Sequence, residues 1–247
     1  MELAGSVCVI TGSSSGLGRA TAEYFVDAGA QVVGLDLAMP ADPTGERFRT
    51  IVVDITDEPA VAAAMDEIGS EFGGIHAVVN CAGMIRGAAF LDDAGEIFPV
   101  ELFRRTVDVN LTGTYLVAAH GARWMAKNPP NADGERGAIV NTASIAALDS
   151  SSSVAYAASK GAVVSFGLTA ARQLAGHGIR VNTIAPGFMD TEMFAGLPPE
   201  RVDELSSLTV FPRRLGQPNE FARLAKELVE NPYLNAALIR VDAGSRV

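Results

Sequence analysis

Short apolar runs alternate with longer helical patterns along almost the whole chain. The runs lie at residues 7–11, 31–35, 50–53, 75–79, 138–142, 178–184 and 237–241. Helical patterns fill most of the intervals between them, and strands that are joined through helices pair in parallel. The alternation therefore predicts an α/β fold, with one doubly wound parallel sheet of about seven strands and a single domain that spans residues 1–247.

The composition narrows the classes of function. Hydrophobic residues make up 48% of the 247 residues, which is enough for a substantial core. The net charge of −10 argues against a nucleic-acid-binding surface, which needs clustered Lys and Arg. The two cysteines, Cys8 and Cys81, lie in separate apolar runs, so we expect neither a disulfide framework nor a metal site.

The N-terminal residues carry no recognisable targeting pattern. The start, Met-Glu-Leu-Ala-Gly-Ser, lacks a basic region followed by an apolar one. The first apolar run, residues 7–10, is far too short to span a membrane. We therefore expect no membrane partner. Together with the two separated cysteines, this predicts a reducing, cytoplasmic location.

A glycine-rich turn follows the first predicted strand and opens the first predicted helix. Such a turn lets backbone N–H groups approach a pyrophosphate, and the helix dipole favours the charge of that group. The spacing, Gly-x-x-x-Gly-x-Gly, differs from the commonest dinucleotide fingerprint, and such a cluster alone is also compatible with a simple tight turn. We predict a Rossmann-like dinucleotide site at Gly12, Ser14, Ser15, Gly16, Leu17 and Gly18.

Asp36 ends the second predicted strand and indicates which dinucleotide binds. A carboxylate there accepts hydrogen bonds from the adenosine ribose hydroxyls and repels a 2′-phosphate. No Lys or Arg stands at residues 13–15 or 37, although a strand-end Asp is also frequent on protein surfaces. We therefore predict NAD rather than NADP. Further cofactor contacts are predicted at Asp54, Ile55, Asn80, Ala82 and Gly83.

Ser144, Tyr156 and Lys160 form the candidate reaction centre. Tyr156 and Lys160 are one turn apart on one face of a predicted helix, and Ser144 follows the fifth predicted strand. Forming the phenolate at pH 7 costs about 4 kcal/mol. A lysine cation about 4 Å away supplies roughly that much at an effective dielectric near 20. We therefore expect Tyr156 to act as a general acid or base, although an isolated Tyr-x-x-x-Lys also occurs on solvated helices.

Two further segments are predicted to complete the site. Residues 101–127 read as one long helix, with Asn110 buried near its middle. Residues 186–216 follow the sixth predicted strand, and ligands bind at that edge of a parallel sheet, which favours a substrate lid over a peripheral helical flap. The apolar residues of this lid are Met189, Met193, Phe194, Leu197, Leu205, Leu208 and Phe211.

The ordered set of motifs resembles the short-chain dehydrogenase/reductase family over essentially the whole chain. One departure is Cys81, where the family usually has a second Asn. The set is Thr11-Gly12-x-x-x-Gly16-x-Gly18, Asp36, Asp54, Asn80-Cys81-Ala82-Gly83, Asn110, Ser144, Tyr156-x-x-x-Lys160 and Pro186-Gly187.

The resemblance implies a role for each matching residue. Tyr156 would be the general base in alcohol oxidation, and Lys160 would lower its pKa and hold the nicotinamide ribose. Ser144 would bind and polarise the substrate oxygen. Asn110 would hold a water molecule that links Lys160 to solvent. Further cofactor contacts implied by the resemblance are Pro186, Gly187 and, at the nicotinamide carboxamide, Thr191.

Within the family, several loops are similar to type II 3-hydroxyacyl-CoA dehydrogenases. The similar segments are residues 128–130, 134–137, 139–144, 211–216 and 230–235, with Cys81 and the long segment after Gly83. The resemblance implies NAD-dependent interconversion of a 3-hydroxyacyl-CoA and a 3-oxoacyl-CoA, activity on hydroxysteroids and a homotetramer. The helix at about 154–174 is apolar on most of its circumference, which independently predicts a second subunit.

Three other functions are open from the sequence. A hydroxysteroid or other secondary-alcohol dehydrogenase would use the same catalytic residues, with its specificity in residues 84–99 and 188–216. A 3-oxoacyl-carrier-protein reductase normally uses NADP, which Asp36 disfavours. A nucleotide-binding scaffold without turnover has no need of the full catalytic set. The expected partner is a small-molecule substrate, an acyl-CoA or a steroid.

Overall fold

In the part of the chain that the structure describes, seven strands form one parallel sheet, as the sequence predicts. The strands are β1 (Val7–Thr11), β2 (Gln31–Asp36), β3 (Phe48–Val52), β4 (Ala77–Asn80), β5 (Gly137–Thr142), β6 (Ile179–Pro186) and β7 (Leu238–Val241). Their order in the sheet is β3-β2-β1-β4-β5-β6-β7, and every neighbouring pair is parallel. This structure, a computed structural model, describes residues 1–40, 45–87, 89–192, 196 and 198–246.

Helices cover both faces of the sheet. They are α1 (Gly16–Asp27), α2 (Glu58–Phe72), α3 (Val100–Val107), α4 (Thr114–Met125), α5 (Val154–Leu174), α6 (Pro199–Ser207) and α7 (Pro218–Glu230). Helices α1 and α7 pack on one face, around the fully buried Phe25 and Phe221. Helices α2, α4 and α5 pack on the other face, around Met65, Val117 and Ile139. The predicted α/β class and the doubly wound sheet are confirmed.

The strand order fixes where a ligand can bind. Strand β1 pairs with β2 on one side and with β4 on the other. The chain builds outward to β3 first and then returns to build β4 to β7 in the opposite direction. In such sheets the crevice for ligands opens at the carboxyl ends of the strands, at the point where the direction reverses.

The helix predicted at residues 101–127 contains an unexpected π-helical turn. Helix α3 continues through the turn Asp108–Gly113 directly into α4. Asn110 lies within this turn, and its backbone carbonyl accepts a hydrogen bond from the Thr114 hydroxyl at 2.8 Å. Gly113 lets Ile55 pack closely, because a Cβ at Gly113 would lie 2.6 Å from Ile55 Cδ1. Turns of this kind are frequent at functional sites.

The segment predicted as a lid is joined at its two ends. The N–H of Gly216 donates to the carbonyl of Phe188 at 2.8 Å, and the N–H of Asp190 donates to the carbonyl of Gly216 at 2.8 Å. Helix α6 lies between these ends, with Leu205 buried. Of the predicted apolar lid residues, Met193, Phe194 and Leu197 lie outside the described residues.

Helix α5 has a large apolar surface that is not covered within the described chain. The stretch Val154–His177 is long and apolar enough to cross a membrane by length and composition: an 18-residue window within it has a mean hydropathy of 1.2, and 33% of that window is buried. It packs on β6 and carries the buried Lys160 in its first half, as a helix of a globular core does. Its apolar composition is therefore that of a helix on a globular core.

Candidate active site

A cavity of about 570 Å³ lies at the carboxyl ends of the central strands. It extends from the turn after β1 to the start of α5 and to the inner side of α6. The predicted site residues that line it are Gly12, Ser15, Gly16, Leu17, Gly18, Ala82, Gly83, Ser144, Tyr156, Lys160, Pro186, Gly187 and Thr191.

The turn after β1 presents bare backbone to this cavity. Gly12 has a φ of +66°, which favours glycine, and a Cβ there would lie 2.9 Å from the backbone N of Ala82. A Cβ at Gly18 would lie 2.1 Å from the carbonyl oxygen of Gly12. Within the described chain, Ser15 makes no side-chain hydrogen bond to the first turn of α1. The first N–H groups of α1 are therefore available to an anion, and the turn fits a pyrophosphate.

Asp36 and Ser14 lie together at the end of β2. The N–H of Ser14 donates to Asp36 Oδ2 at 2.9 Å, and the N–H of Ala38 donates to Oδ1 at 3.3 Å. These two bonds orient the carboxylate and leave acceptor capacity on both of its oxygens. The side chain is half-buried and is placed to accept hydrogen bonds from a ribose diol.

Asp54, Ile55 and Asn80 were predicted to contact a cofactor and, like Ser14 and Asp36, do not line the cavity. The Asp54 carboxylate receives the Thr56 N–H at 2.9 Å and Arg105 Nη2 at 3.2 Å, and these bonds hold its pKa below the usual value. Ile55 is buried against Gly113. Asn80 is also buried, and its Nδ2 donates to Asn141 Oδ1 on β5 at 2.9 Å. The side chains of Ile55 and Asn80 therefore support the site from within the protein core.

Ser144 and Tyr156 meet across the cavity through a hydrogen bond between their hydroxyl groups. Ser144 follows β5 and caps a short 3₁₀ turn, Ile145–Ala147, by accepting the Ala146 N–H at 3.2 Å. Tyr156 lies in the first turn of α5, whose N-cap Ser153 also donates to the carbonyl of Arg86 at 2.7 Å. The structure thus brings together the predicted phenol and the predicted serine hydroxyl.

Lys160 lies one turn after Tyr156 and is almost fully buried. Its Nζ donates to the carbonyl of Thr142 at 2.7 Å. Burial disfavours the ammonium and lowers the pKa of Lys160 from 10.5 to about 8. The lysine therefore lies close to its titration range at neutral pH.

The pKa of Tyr156 differs from the sequence-based expectation. Burial raises this pKa above its usual value, while the hydrogen bond with Ser144 acts in the opposite direction. Lys160 Nζ lies 5.8 Å from the centre of the Tyr156 ring and donates to Thr142. Desolvation therefore sets the direction of this shift in the structure, and the group that opposes it is Ser144 and not the predicted Lys160. A protonated Tyr156 is a proton donor.

Asn110 lies behind the cavity wall rather than on it. Its Oδ1 accepts the Met84 N–H at 2.8 Å, and its Nδ2 donates to the Met84 carbonyl and to Ser159 Oγ, both at 2.9 Å. Gly83 separates it from Lys160, since a Cβ there would lie 3.2 Å from Asn110 Oδ1 and 3.4 Å from Lys160 Nζ. Asn110 thus fixes the backbone next to Lys160, and its role in holding a water molecule stays a prediction.

The structure adds residues that the sequence reasoning did not assign. Ser159 Oγ accepts a hydrogen bond from Asn110, and the Thr142 carbonyl accepts one from Lys160. Ser159 and Thr142 each lie within two residues of a predicted catalytic residue. Arg201 on α6 and Glu192 also line the cavity, and no local pattern indicates this, because their placement depends on how the lid folds back. Cys81 lines it as well, and burial raises the pKa of its thiol to about 12, so we expect it to be unreactive.

Comparisons with known proteins extend over nearly the whole chain. A family profile described as enoyl-(acyl carrier protein) reductase matches residues 12–246. The 3-hydroxyacyl-CoA dehydrogenase type-2 of Drosophila melanogaster is 41% identical and covers 98% of both chains. The protein of the same name from Homo sapiens is 42% identical, over 98% of this chain and 96% of its own length.

A solved structure agrees with these sequence matches. The crystal structure of 3-hydroxyacyl-CoA dehydrogenase type-2 from Mycobacterium avium superimposes with a TM-score of 0.92 at 36% identity. The match covers 98% of this chain and 96% of the other. The likeness is therefore not confined to the dinucleotide-binding half of the fold.

Proposed function

The chain belongs to the short-chain dehydrogenase/reductase family of oxidoreductases, which use nicotinamide cofactors, and on that premise we propose that it interconverts 3-hydroxyacyl-CoA and 3-oxoacyl-CoA with NAD. One observation carries the proposal: the Ser144 and Tyr156 hydroxyls meet beside Lys160, in the cavity that begins at the glycine turn. The relatives named above supply the substrate class.

The chemistry divides between the cofactor and this chain. The nicotinamide, when bound, supplies or accepts the hydride. In ketone reduction Ser144 holds the substrate oxygen and Tyr156 donates a proton to it. In alcohol oxidation Tyr156 takes that proton. Lys160 lies beside the phenol with its Nζ on the Thr142 carbonyl, where it stabilises the phenolate that remains after proton donation.

NAD is proposed over NADP because of the groups at the end of β2. Asp36 is held by Ser14 with its carboxylate exposed to the ribose position, and a 2′-phosphate would be repelled there. Leu37, which follows it, is 66% exposed and offers no positive charge. The glycine turn and the start of α1 would hold the pyrophosphate, and Gly187 and Thr191 line the cavity where the nicotinamide would lie.

Charge on the lid supports a CoA ester over a neutral ketone. Arg201 and Lys160 are the cations among the described residues that line the cavity, and Lys160 lies at the reaction centre. Arg201 lies on α6 on the same face as Leu205 and Leu208, which also line the cavity. This face offers apolar contact to an acyl chain and a guanidinium to the phosphates of CoA. Arg201 also pairs with Glu204 on the helix surface.

The test follows NADH absorbance with purified protein. Acetoacetyl-CoA is compared with S-acetoacetyl-N-acetylcysteamine, a thioester without phosphates, and with a steroid ketone; NADPH is tested in parallel. We expect NADH oxidation with acetoacetyl-CoA and a markedly higher KM for the truncated thioester. Turnover of the steroid alone would replace the acyl-CoA assignment with a hydroxysteroid dehydrogenase. A preference for NADPH would favour a 3-oxoacyl-carrier-protein reductase.

An arginine variant sharpens this test. Arg201→Gln should raise the KM for acetoacetyl-CoA on the order of tenfold and leave the KM for the truncated thioester unchanged. Arg104→Gln is the matched control, because Arg104 is also exposed and pairs with Glu101 three residues away on α3, yet does not line the cavity. Equal KM changes for both thioesters would refute the role of Arg201.

A homotetramer in the cytoplasm is proposed on separate grounds. The uncovered surface of α5 adjoins a groove of about 320 Å³ between α4 and α5, where Tyr115 packs edge-on against Phe166. An apolar groove of this size fits the same surface of a second subunit. Light scattering of the purified protein tests the tetramer.

Cys8 and Cys81 are both free, which suits a reducing compartment, and cell fractionation tests that location.

A further inference from the structure

Arg240 on β7 is held by two carboxylates from different parts of the chain. Its Nη1 and Nη2 donate to the two oxygens of Asp149 at 3.1 and 2.7 Å, and its Nε donates to Asp242 Oδ2 at 2.5 Å. Nη2 also donates to the carbonyl of Ser245 at 2.7 Å. The Arg240 and Asp149 side chains are 22% and 15% exposed. This bidentate pair is more shielded than an ordinary surface ion pair.

Asp149 connects the ion pair to the reaction centre. The N–H of Asp149 donates to the carbonyl of Ile145 at 2.9 Å, and the N–H of Ala147 donates to the carbonyl of Ser144 at 3.0 Å. The next residues, 150–152, line the cavity. A displacement of Asp149 would therefore reach Ser144 through a single hydrogen-bonded turn.

The residues after Arg240 contact the other walls of the cavity. Gly187 packs so closely on Asp242 that a Cβ at 187 would lie 2.8 Å from the Asp242 Cβ. The carbonyl of Ala243 accepts the N–H groups of Val210 and Phe211, in the last part of the lid, at 2.9 and 3.2 Å. The turn that carries Ser144, the Pro-Gly turn after β6 and the base of the lid thus meet at one short segment.

We propose that Arg240 is a positioning residue. Its ion pair with Asp149 holds the Ser144 turn in a fixed position relative to the Pro186–Gly187 turn and the lid. The inference rests on the proposed function, in which Ser144 and Tyr156 perform the chemistry. Arg240 itself does not line the cavity, so it acts through Asp149 and not on the substrate. Loss of the pair misplaces the Ser144 hydroxyl, and small misplacements at a reaction centre lower turnover strongly.

The kinetic test uses two variants that remove the pair. Arg240→Gln and Asp149→Asn should each lower kcat for ketone reduction on the order of tenfold. The Kd for NADH, measured by its fluorescence, should stay close to the wild-type value. The double variant should be no slower than Arg240→Gln alone, because Arg240→Gln already removes the pair with Asp149. Arg240→Lys keeps the cation without the bidentate geometry and should recover part of the lost kcat.

A matched control separates positioning from a general loss of stability. Arg49 lies on β3 at the opposite edge of the sheet and also contacts two carboxylates, Glu67 at 3.1 Å and Glu71 at 2.7 Å. Arg49→Gln should keep the wild-type kcat even where its melting temperature falls as far as that of Arg240→Gln.

The pH profile gives a second readout. The Ser144 hydroxyl lowers the pKa of Tyr156. Displacement of Ser144 in Arg240→Gln should therefore move the rising limb of the pH–rate profile of alcohol oxidation to higher pH. The other titratable and charged groups that line the cavity are Lys160, Cys81, Glu192 and Arg201, and Arg49→Gln leaves all of them in place. The limb should therefore not move in the control.

Amide hydrogen exchange provides a readout that needs no turnover. Residues 144–149 should exchange faster in Arg240→Gln and Arg240→Lys than in the wild type, and not in Arg49→Gln. Unchanged exchange, or a wild-type kcat with an unmoved pH profile, would overturn the inference. If the wild-type protein reduces no ketone, the proposed function fails, and the exchange measurement still decides whether Arg240 orders this turn.

Discussion

Replacing Lys160 by methionine should reveal what it costs the fold to bury a cation at the reaction centre. Lys160 is 3% exposed, and its pKa is lowered from 10.5 to about 8. At 1.36 kcal/mol per pH unit, that difference corresponds to about 3 kcal/mol of lost stability at neutral pH. The charged hydrogen bond to Thr142 returns about 1.5–3 kcal/mol. We therefore expect Lys160→Met to be inactive and at least about as stable as the wild type at pH 7.

The sign of the pH dependence distinguishes this effect from ordinary repacking. The folded pKa lies below the unfolded one, so between about pH 8 and 10.5 the unfolded chain binds a proton that the folded chain lacks. Lys160 thus adds to the free energy of unfolding of the wild type as the pH rises through this window. From pH 7 to 9.5 the gain is about 2 kcal/mol. The Lys160→Met variant lacks this gain in the free energy of unfolding.

The assay is urea unfolding at fixed protein concentration, followed by circular dichroism at pH 7 and at pH 9.5. Lys160→Met should lose about 2 kcal/mol relative to the wild type between the two values. Lys127→Met is the control: Lys127 is exposed and stacks over Trp124, so its difference from the wild type should stay constant. A Lys160→Met difference that is equally constant would refute the argument that burial shifts this lysine.

Four further outcomes test the site. Tyr156→Phe should lower turnover by about 10²–10⁴-fold with NADH binding retained, and substantial activity would exclude Tyr156 as the acid or base. Asp36→Ala should relax the preference for NADH over NADPH on the order of tenfold, and an unchanged ratio would remove Asp36 from that role. Gly18→Ala places a Cβ 2.1 Å from the Gly12 carbonyl oxygen. It should weaken NADH binding in fluorescence titration and cost about 1–3 kcal/mol in urea unfolding, whereas wild-type binding would show that the turn adapts. Because burial raises the Tyr156 pKa, oxidation rates should climb above neutral pH while ketone reduction stays flat, and parallel profiles would contradict this assignment.

The strands and most helices were predictable because each follows a local rule. The helix predicted at about 154–174 matches α5, and α2 begins after Asp57, which accepts the Ala60 N–H at 3.1 Å as a helix cap does. Strand β3 begins at Phe48, two residues before the predicted start. Arg49 separates Phe48 from the predicted run, and the pairing of these two residues with β2 is a tertiary effect. The π-helical turn was missed for a related reason, since it depends on bonds from Asn110 to distant Met84 and Ser159.

The site was predictable where one motif supplies the chemistry and not where distant segments meet. Tyr156 and Lys160 share a helix turn, so their proximity follows from spacing alone. Their pKa values cannot be derived from this spacing, because both values depend on how far the rest of the fold excludes solvent. From the sequence alone, Lys160 is expected to be an ammonium close to the phenol oxygen. In the structure it donates to Thr142 on β5, and desolvation controls both groups.

The two opposite pKa shifts have one physical cause and one chemical consequence. Burial penalises charge, so it raises the pKa of Tyr156 and lowers that of Lys160, and both shifts favour the neutral forms. A neutral phenol bonded to Ser144 is ready to donate a proton to a ketone oxygen. Alcohol oxidation must first create a phenolate against the same desolvation. Desolvation therefore favours the protonated phenol at neutral pH, and oxidation depends on whatever positive charge Lys160 and the oxidised nicotinamide bring beside Tyr156.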